Sequence, residues 1–336
     1  MKWLGLDIGG ANLKAADGDR FAVVQPFPLW ETPFQLADAL RAVLASVPQG
    51  DHLAATMTGE LADCFATKTE GVEFIIAALQ KAADGRHTRL YLTNGALVAP
   101  TIALRTPLLA AASNWHALAR FAGSLTAGGP ALLIDIGTTT CDLIPIVDGQ
   151  PTAVGQTDTE RLISGELVYT GVERSPLCAV VRQAPYRGAM CPLAQELFAT
   201  TWDVYLTLGE LPEQPLSTHT ANHRPATRAA ALDRLARSIC TDRDIFAAAD
   251  AQTLAEHVAA AQLELIAAAA ERVVKRMSGV PHTVVTSGAG EFLARRVVAR
   301  LGLAANVISL GARLGPEMSQ CATAHALAVI ARGDLR

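Results

Sequence analysis

The chain has 336 residues, of which 50% are apolar, 18% charged and 5% aromatic, and its 28 Lys and Arg against 32 Asp and Glu leave a formal charge of −4. Disordered and collagen-like chains are excluded, and an apolar fraction of this size at this length predicts two domains of roughly 150 residues each. The mild acidity, with no Lys/Arg run longer than two, argues against a nucleic-acid or anionic-membrane partner and leaves only a local basic pocket.

The opening MKWLGLDIGG reaches Asp7 before any apolar run of signal-peptide length, and the Ala-rich stretch Val258 to Ala270 is broken by Gln262 and Glu264, so a cytoplasmic protein is expected. Trp3 to Ile8 reads as a buried strand, Gly9-Gly10-Ala11 as a turn, and a second strand ends at Ala16 before the hairpin signal Asp17-Gly18. FAVVQPF (21–27) continues as a third strand. The spacing of Phe34, Leu36, Leu40, Val43 and Leu44 predicts a helix over Pro33 to Ser46, and HLAATM (52–57) a strand ending in Thr58-Gly59. A second amphipathic helix over Glu70 to Ala83 and a strand, RLYLT (89–93), follow.

The order then repeats. Ala131 to Ile136 is a buried strand, Gly137 to Thr140 a turn, the next strand ends at Val147 before Asp148-Gly149, and PTAVGQT (151–157) is a third strand. Thr159 to Ala226 matches no repeat and reads, from its Pro, Gly and Thr content, as an insertion lining the space between the halves. Leu254 to Met277 predicts a long helix with Leu254, Val258, Leu265, Ile266, Val273 and Met277 on one side. PHTVVTSGAG (281–290) is a strand entering a Gly-rich turn, followed by a helix to Leu301, a strand NVISL (306–310) and a closing helix, Pro316 to Ala331. The six cysteines, Cys64, Cys141, Cys178, Cys191, Cys240 and Cys321, lack metal-site or disulfide spacing and read mostly as buried thiols.

LGLDIGGANLKAADG (4–18) and LLIDIGTTTCDLIPIVDG (132–149) are thus two copies of one hairpin, about 128 residues apart, and the chain reads as two similar α/β units. The turns suit phosphate: Gly9, Gly10 and Gly137 let the backbone approach, and Asn12, Thr138, Thr139 and Thr140 add neutral donors. Asp7 and Asp135, at strand ends, are placed to hold Mg²⁺ or its water, or else cap their own turns. Lys14 either adds a point charge to the phosphate or faces solvent. Asp142, seven residues after Asp135, falls on the opposite strand face unless the turn resets the register. Gly288 and Gly290 form a third turn of the same kind.

Leu6 to Lys14, Ile134 to Asp142 and Val284 to Gly290 resemble the two phosphate motifs and the adenosine motif of the actin, hexokinase and heat-shock ATPase superfamily. Within it, the segments 57–75, 161–176 (RLISGELVYTGVERSP) and 201–213 are similar to the hydantoinase A/oxoprolinase branch, in its group linked to tetrahydromethanopterin one-carbon transfer. The resemblance implies two duplicated ribonuclease-H-like domains, 1–127 and 128–336 with an insertion at about 159–226, facing a central cleft. It implies a Mg²⁺-dependent transferase of methanofuran or methylofuran synthesis that joins an aminomethyl-furanmethanol diphosphate to a tyramine-type or tyrosine phenol and releases pyrophosphate. An ATP-dependent kinase or an oxoprolinase-type amidohydrolase would use the same turns on ATP.

A phenol needs a base, since its pKa near 10 leaves it protonated at neutral pH. Glu60 in TGELAD and Glu166 in ISGELVYTG both follow a glycine after a strand-like stretch; either is a catalytic candidate or a first-turn helix charge. Asp63, Lys68 and Arg174 are further pocket candidates, and Tyr169, Trp202 and Tyr205 are the aromatics available to a ring substrate. His219 and His223 have the spacing of a helical metal pair, but Asn222, Pro225 and the nearby threonines favour a solvated loop. Small-molecule partners are expected, and self-association is left open.

Overall fold

The computed structural model of the protein describes residues 2–47, 50–333 and 335. The first half runs β1 (Trp3–Ile8), β2 (Asn12–Ala16), β3 (Ala22–Pro26), α1 (Leu36–Ser46), β4 (His52–Met57), α2 (Lys68–Ala83), β5 (His87–Tyr91), β6 (Leu97–Val98), two single-turn helices α3 (Pro100–Ala103) and α4 (Pro107–Ala110), and α5 (Asn114–Gly123). The second opens with β7 (Pro130–Ile136), β8 (Cys141–Val147), β9 (Gln150–Pro151), α6 (Asp158–Ser164), β10 (Leu167–Val168) and α7 (Leu177–Val180). It continues with a separate hairpin, β11 (Gln183–Tyr186) and β12 (Ala189–Pro192), and helices α8 (Thr201–Leu208), α9 (Arg228–Ser238) and α10 (Ala248–Arg276). β13 (Thr283–Ser287), α11 (Glu291–Arg300), β14 (Asn306–Ser309), α12 (Leu310–Leu314), α13 (Pro316–Gln320) and α14 (Ala322–Arg332) complete it. Among the described residues no helix is long and apolar enough to cross a membrane.

Two mixed sheets carry these elements, ordered β3-β2-β1-β4-β5-β6 and β10-β8-β7-β13-β14, with β9 also paired to β8. In each, a hairpin supplies an antiparallel edge, and the first strand of that hairpin runs parallel to the next two strands, β4 and β5 in the first sheet and β13 and β14 in the second, with β6 added antiparallel at the far edge of the first. The central strands read as continuous apolar runs because helices cover both faces, and Leu4 to Ile8 and Ala131 to Ile134 are buried throughout. The duplication extends to single hydrogen bonds: the Gly9 N–H donates to the Asn12 carbonyl at 3.0 Å and the Gly137 N–H to the Thr140 carbonyl at 2.9 Å.

Two helices cross between the sheets. The last helix, α14, lies on β1, β4 and β2 of the first sheet, while α5 packs on β8 and β9 of the second and against α14. Gly5 permits the first contact, because a Cβ there would lie 1.8 Å from the Ala324 carbonyl oxygen. Gly123 serves α5 in the same way, where a Cβ would meet the Gly149 oxygen at 2.3 Å.

Several expectations need correction. The third strand of the second half is not 151–157: β9 stops at Pro151, and the Val154 and Gly155 N–H groups donate to the Glu166 carboxylate instead of to a neighbouring strand. The edge beside β8 is filled by β10, through Leu167 and Val168. β5 ends at Tyr91 because Leu92 already closes a turn with Gly95 and Ala96. The closing helix is two helices, broken at Cys321, whose thiol donates to the Val23 carbonyl. Only Cys141 and Cys321 are buried, and all six thiols are free. Leu265 lies off the buried stripe of α10 and is 48% exposed.

Replacing Gly5 by alanine forces α14 away from β1, and overpacking of this kind costs on the order of 1–3 kcal/mol or more. We expect Gly5→Ala to lower the urea midpoint with an unchanged slope; an unaltered midpoint would show that α14 does not depend on this approach.

Candidate functional site

The two hairpin turns supply the free donors. Among the described residues the N–H groups of Gly10, Ala11, Thr138 and Thr139 donate to no protein acceptor. Each turn is held from behind. Leu29 donates to the Gly10 carbonyl, while Val172 donates to that of Gly137, and Glu173 and Arg174 donate to that of Thr138. Gly171 permits this latch, since a Cβ there would lie 2.5 Å from the Thr138 carbonyl carbon. Successive unpaired N–H groups beside small hydroxylated residues form a cradle for an anion.

Acidic groups and one ammonium converge beside the turns. Asp7 is the direct cross-strand partner of Lys14, and Asp135 that of Asp142. The members of each pair therefore share a face, and the seven-residue offset misleads because the turn interrupts the strand alternation. Asp7 is buried with its Oδ1 unpartnered, and burial raises its pKa against the pull of Lys14. Asp135 is half-buried; loss of water and then the Asp142 charge push it up to about 7, with Lys14 opposing and Asp7 adding to the rise. Asp142 is itself neutralised by an ion pair with buried Arg161.

Glu173, absent from the sequence candidates, belongs to this group. Its surroundings push it up to about 6 through desolvation, with the Arg174 and Lys14 charges holding it back. Its sequence signal is its place directly after Gly171-Val172, the segment that must lie against a phosphate turn, but only the fold brings it to Lys14.

Among the described residues no set of three His, Cys, Asp or Glu side chains could hold a metal ion by itself. Asp7 and Asp135 nevertheless fit Mg²⁺ bound together with phosphate and water oxygens, because an orphaned buried oxygen and a carboxylate held near neutrality both gain from a hard cation.

Other candidates are placed elsewhere. Glu166 is fully buried, and its carboxylate accepts from Val154 N at 2.8 Å, Gly155 N at 2.9 Å and Ser164 Oγ at 2.9 Å, so it organises a loop. Glu60 is buried with Oε2 unpartnered and pushed up to about 7 by burial, but the side-chain charges it feels are Lys68 and Asp158. Those two form a 2.8 Å ion pair joining the start of α2 to the start of α6. Asp63 is exposed. His219 and His223 lie exposed in a loop. Gly288 and Gly290 are required for packing: a Cβ at Gly288 would lie 2.2 Å from the Ile136 oxygen, and one at Gly290 2.5 Å from the Ile136 side chain. Trp202 and Tyr205 are core residues, whereas Tyr169 is 66% exposed and lines a cavity of about 200 Å³ that reaches Thr139.

The sign of the pH dependence follows from Asp135. Its folded pKa lies above that of an ordinary carboxyl, so between about 4 and 7 the folded state holds a proton that the unfolded chain has lost, and stability from this site falls as pH rises. We expect Asp135→Asn to melt a few degrees above wild type at pH 8, with the gap closing as the pH is lowered towards 4. A gap independent of pH in differential scanning calorimetry would contradict this.

Comparison with known proteins places these features in context. The family model described as hydantoinase/oxoprolinase matches residues 51–331. A protein of Methanocaldococcus jannaschii named (4-{4-[2-(gamma-L-glutamylamino)ethyl]phenoxymethyl}furan-2-yl)methanamine synthase is 32% identical over 335 residues, covering 99% of this chain and 98% of that one. A protein of the same name from Methanococcus vannielii is 29% identical over 206 residues, 61% of this chain and 91% of that one. Among solved structures, a chain of the PilM–PilN type IV pilus biogenesis complex superposes with TM-score 0.50 at 13% identity, covering 98% of both chains. Nucleotide-free acetone carboxylase gives 0.51 at 13% identity, over 95% of this chain and 51% of that one. At such identities the structural likeness is one of fold. The full-length sequence similarity and the matched family model go further, and the chain belongs to the hydantoinase/oxoprolinase family.

Proposed function

We propose that this protein is a transferase of methanofuran or methylofuran biosynthesis. It would join an aminomethyl-furanmethanol diphosphate to the phenol of a tyramine-type or tyrosine unit and release pyrophosphate. The observation that carries the reading, beside the end-to-end similarity to the M. jannaschii synthase, is Lys14 set among Asp7, Asp135 and Glu173 beside two turns of free N–H donors. The same reading takes 1–127 and 128–336 as two lobes, with 159–226 inserted in the second, in a cytoplasmic enzyme acting on small molecules.

The furan ring stabilises positive charge at the adjacent methylene carbon, so the carbon–oxygen bond to the diphosphate breaks with its electron pair leaving on the diphosphate. The Gly10, Ala11, Thr138 and Thr139 N–H groups and the Lys14 ammonium meet the negative charge that develops there. Asp7 and Asp135 would hold Mg²⁺, which when bound adds further neutralisation of the diphosphate. The phenol oxygen bonds to the carbon, and its proton passes to Glu173, which at about 6 is ionised at neutral pH. Gly9, Asn12 and Thr140 shape the turns, and ether formation leaves pyrophosphate as the second product.

Two experiments test this. Asp7→Asn and Asp135→Asn, assayed separately for pyrophosphate release from a furfuryl diphosphate and a tyramine, should each lose most turnover; full activity in both overturns the diphosphate site. Stabilisation by Mg-ATP without stabilisation by Mg-pyrophosphate would favour an ATP-dependent kinase or amidohydrolase.

Removing a general base lowers rate by roughly 10²–10⁴-fold. Glu173→Gln should fall in this range with no loss of melting temperature, whereas Glu166→Ala should melt earlier and keep its turnover at low temperature. The opposite pattern would restore Glu166 as the base.

A further inference from the structure

The cavity beside Thr139 has a composition that selects a ligand. Its floor holds Thr170 and Ser175, whose hydroxyls bond each other at 2.8 Å. Gln262 donates to Thr170 Oγ1 at 2.7 Å and to the Gly171 carbonyl at 2.8 Å, and accepts from the Tyr205 hydroxyl at 2.6 Å. These polar groups already satisfy one another, so the floor asks nothing polar of a ligand. Pro176, Val180, Leu265 and the exposed Tyr169 ring make the remaining walls apolar. An apolar cavity of roughly 150 Å³ takes up a benzene ring, and this one, at about 200 Å³, has room for one substituted phenyl group.

Charge enters only at the rim. Arg174 is exposed and has no carboxylate partner within 4 Å among the described residues; its guanidinium lies 5.6 Å over the ring of Trp30, from the other half of the chain. An arginine steadied on an aromatic face keeps its planar fork open to a carboxylate. Glu173 precedes it in the chain, and Thr139 of the phosphate turn is part of the cavity wall.

Resting on the proposed transferase reaction, we infer that this cavity is the acceptor subsite, that Tyr169 and Leu265 hold the phenol ring with its hydroxyl towards Thr139 and Glu173, and that Arg174 selects acceptors whose para tail ends in a carboxylate. A γ-glutamyl-tyramine satisfies all three demands; tyramine satisfies only the first two.

The test separates ring, tail and donor. With the full-length protein, steady-state KM is measured for γ-glutamyl-tyramine, tyramine and the furfuryl diphosphate. Arg174→Ala should raise KM for γ-glutamyl-tyramine at least tenfold and leave KM for tyramine unchanged. Tyr169→Ala should raise both acceptor values, and Leu265→Trp, which fills the cavity, should do so further, with the donor KM constant in all three. A rise in donor KM on Arg174→Ala would assign the guanidinium to the diphosphate, and unchanged acceptor values in all three variants would remove the cavity from the reaction. Direct titration of γ-glutamyl-tyramine into wild type and Leu265→Trp by calorimetry keeps the parent reading distinct. Binding that Leu265→Trp abolishes, in an enzyme that forms no ether, would retain the subsite and overturn the transferase; no binding to wild type would overturn the subsite.

Discussion

One ammonium group organises the centre of this molecule. Lys14 stands across the strand pair from Asp7, and its charge reaches Asp135 and Glu173 on segments more than a hundred residues away. Asp135 loses water and feels the charges of Asp142 and Asp7, while Glu173 is raised by loss of water alone, and a single cation does not neutralise all of them. The result is a cluster held close to the point of proton exchange, with Asp135 at about 7 and Glu173 at about 6, and with a net appetite for positive charge. Under the proposed function, a diphosphate arriving with a divalent cation would answer both the free N–H donors and the carboxyls at once.

Close approaches of one segment to another, at that centre and beside it, depend on glycine. Gly171 brings the segment before Glu173 against the second turn, Gly288 and Gly290 bring the end of β13 against Ile136, and Gly71 lets α2 lie on the backbone of Glu60. These glycines are needed because a Cβ would occupy space already filled, by another main chain at Gly171, Gly288 and Gly71 and by the Ile136 and Val172 side chains at Gly290. The exchange of α5 and α14 between the sheets ties the halves together. Further links between the halves are polar or aromatic, through Lys68 with Asp158 and Arg174 over Trp30.

The duplicated hairpins also show how two equivalent positions diverge. The site opposite the first aspartate is Lys14 in one half and Asp142 in the other, so one copy carries a cation and the other a second acid. Burial would make that second acid costly without compensation, and Arg161, itself stacked 4.4 Å from the centre of Trp115, supplies it. One copy thus pairs an acid with a cation across the strands, while the other pairs two acids and takes up the second one's charge through Arg161.

Much of this was legible in the sequence, because apolar runs and turn residues act locally. The DIGG and DIGTTT hairpins, the strands beginning at His52 and Thr283, and the long helix through Val258 and Val273 follow from spacing alone. What the sequence could not decide were matters of partnership across the chain. Nothing in ISGEL or GVERS indicates that Glu166 is occupied by the N–H groups of Val154 and Gly155 while Glu173 reaches Lys14. Likewise, the parity of an offset cannot tell that Asp142 shares a face with Asp135, since a turn breaks the alternation on which parity depends. Local pattern fixes which elements form. Which charges face each other is decided only when distant segments are packed together and deprived of water.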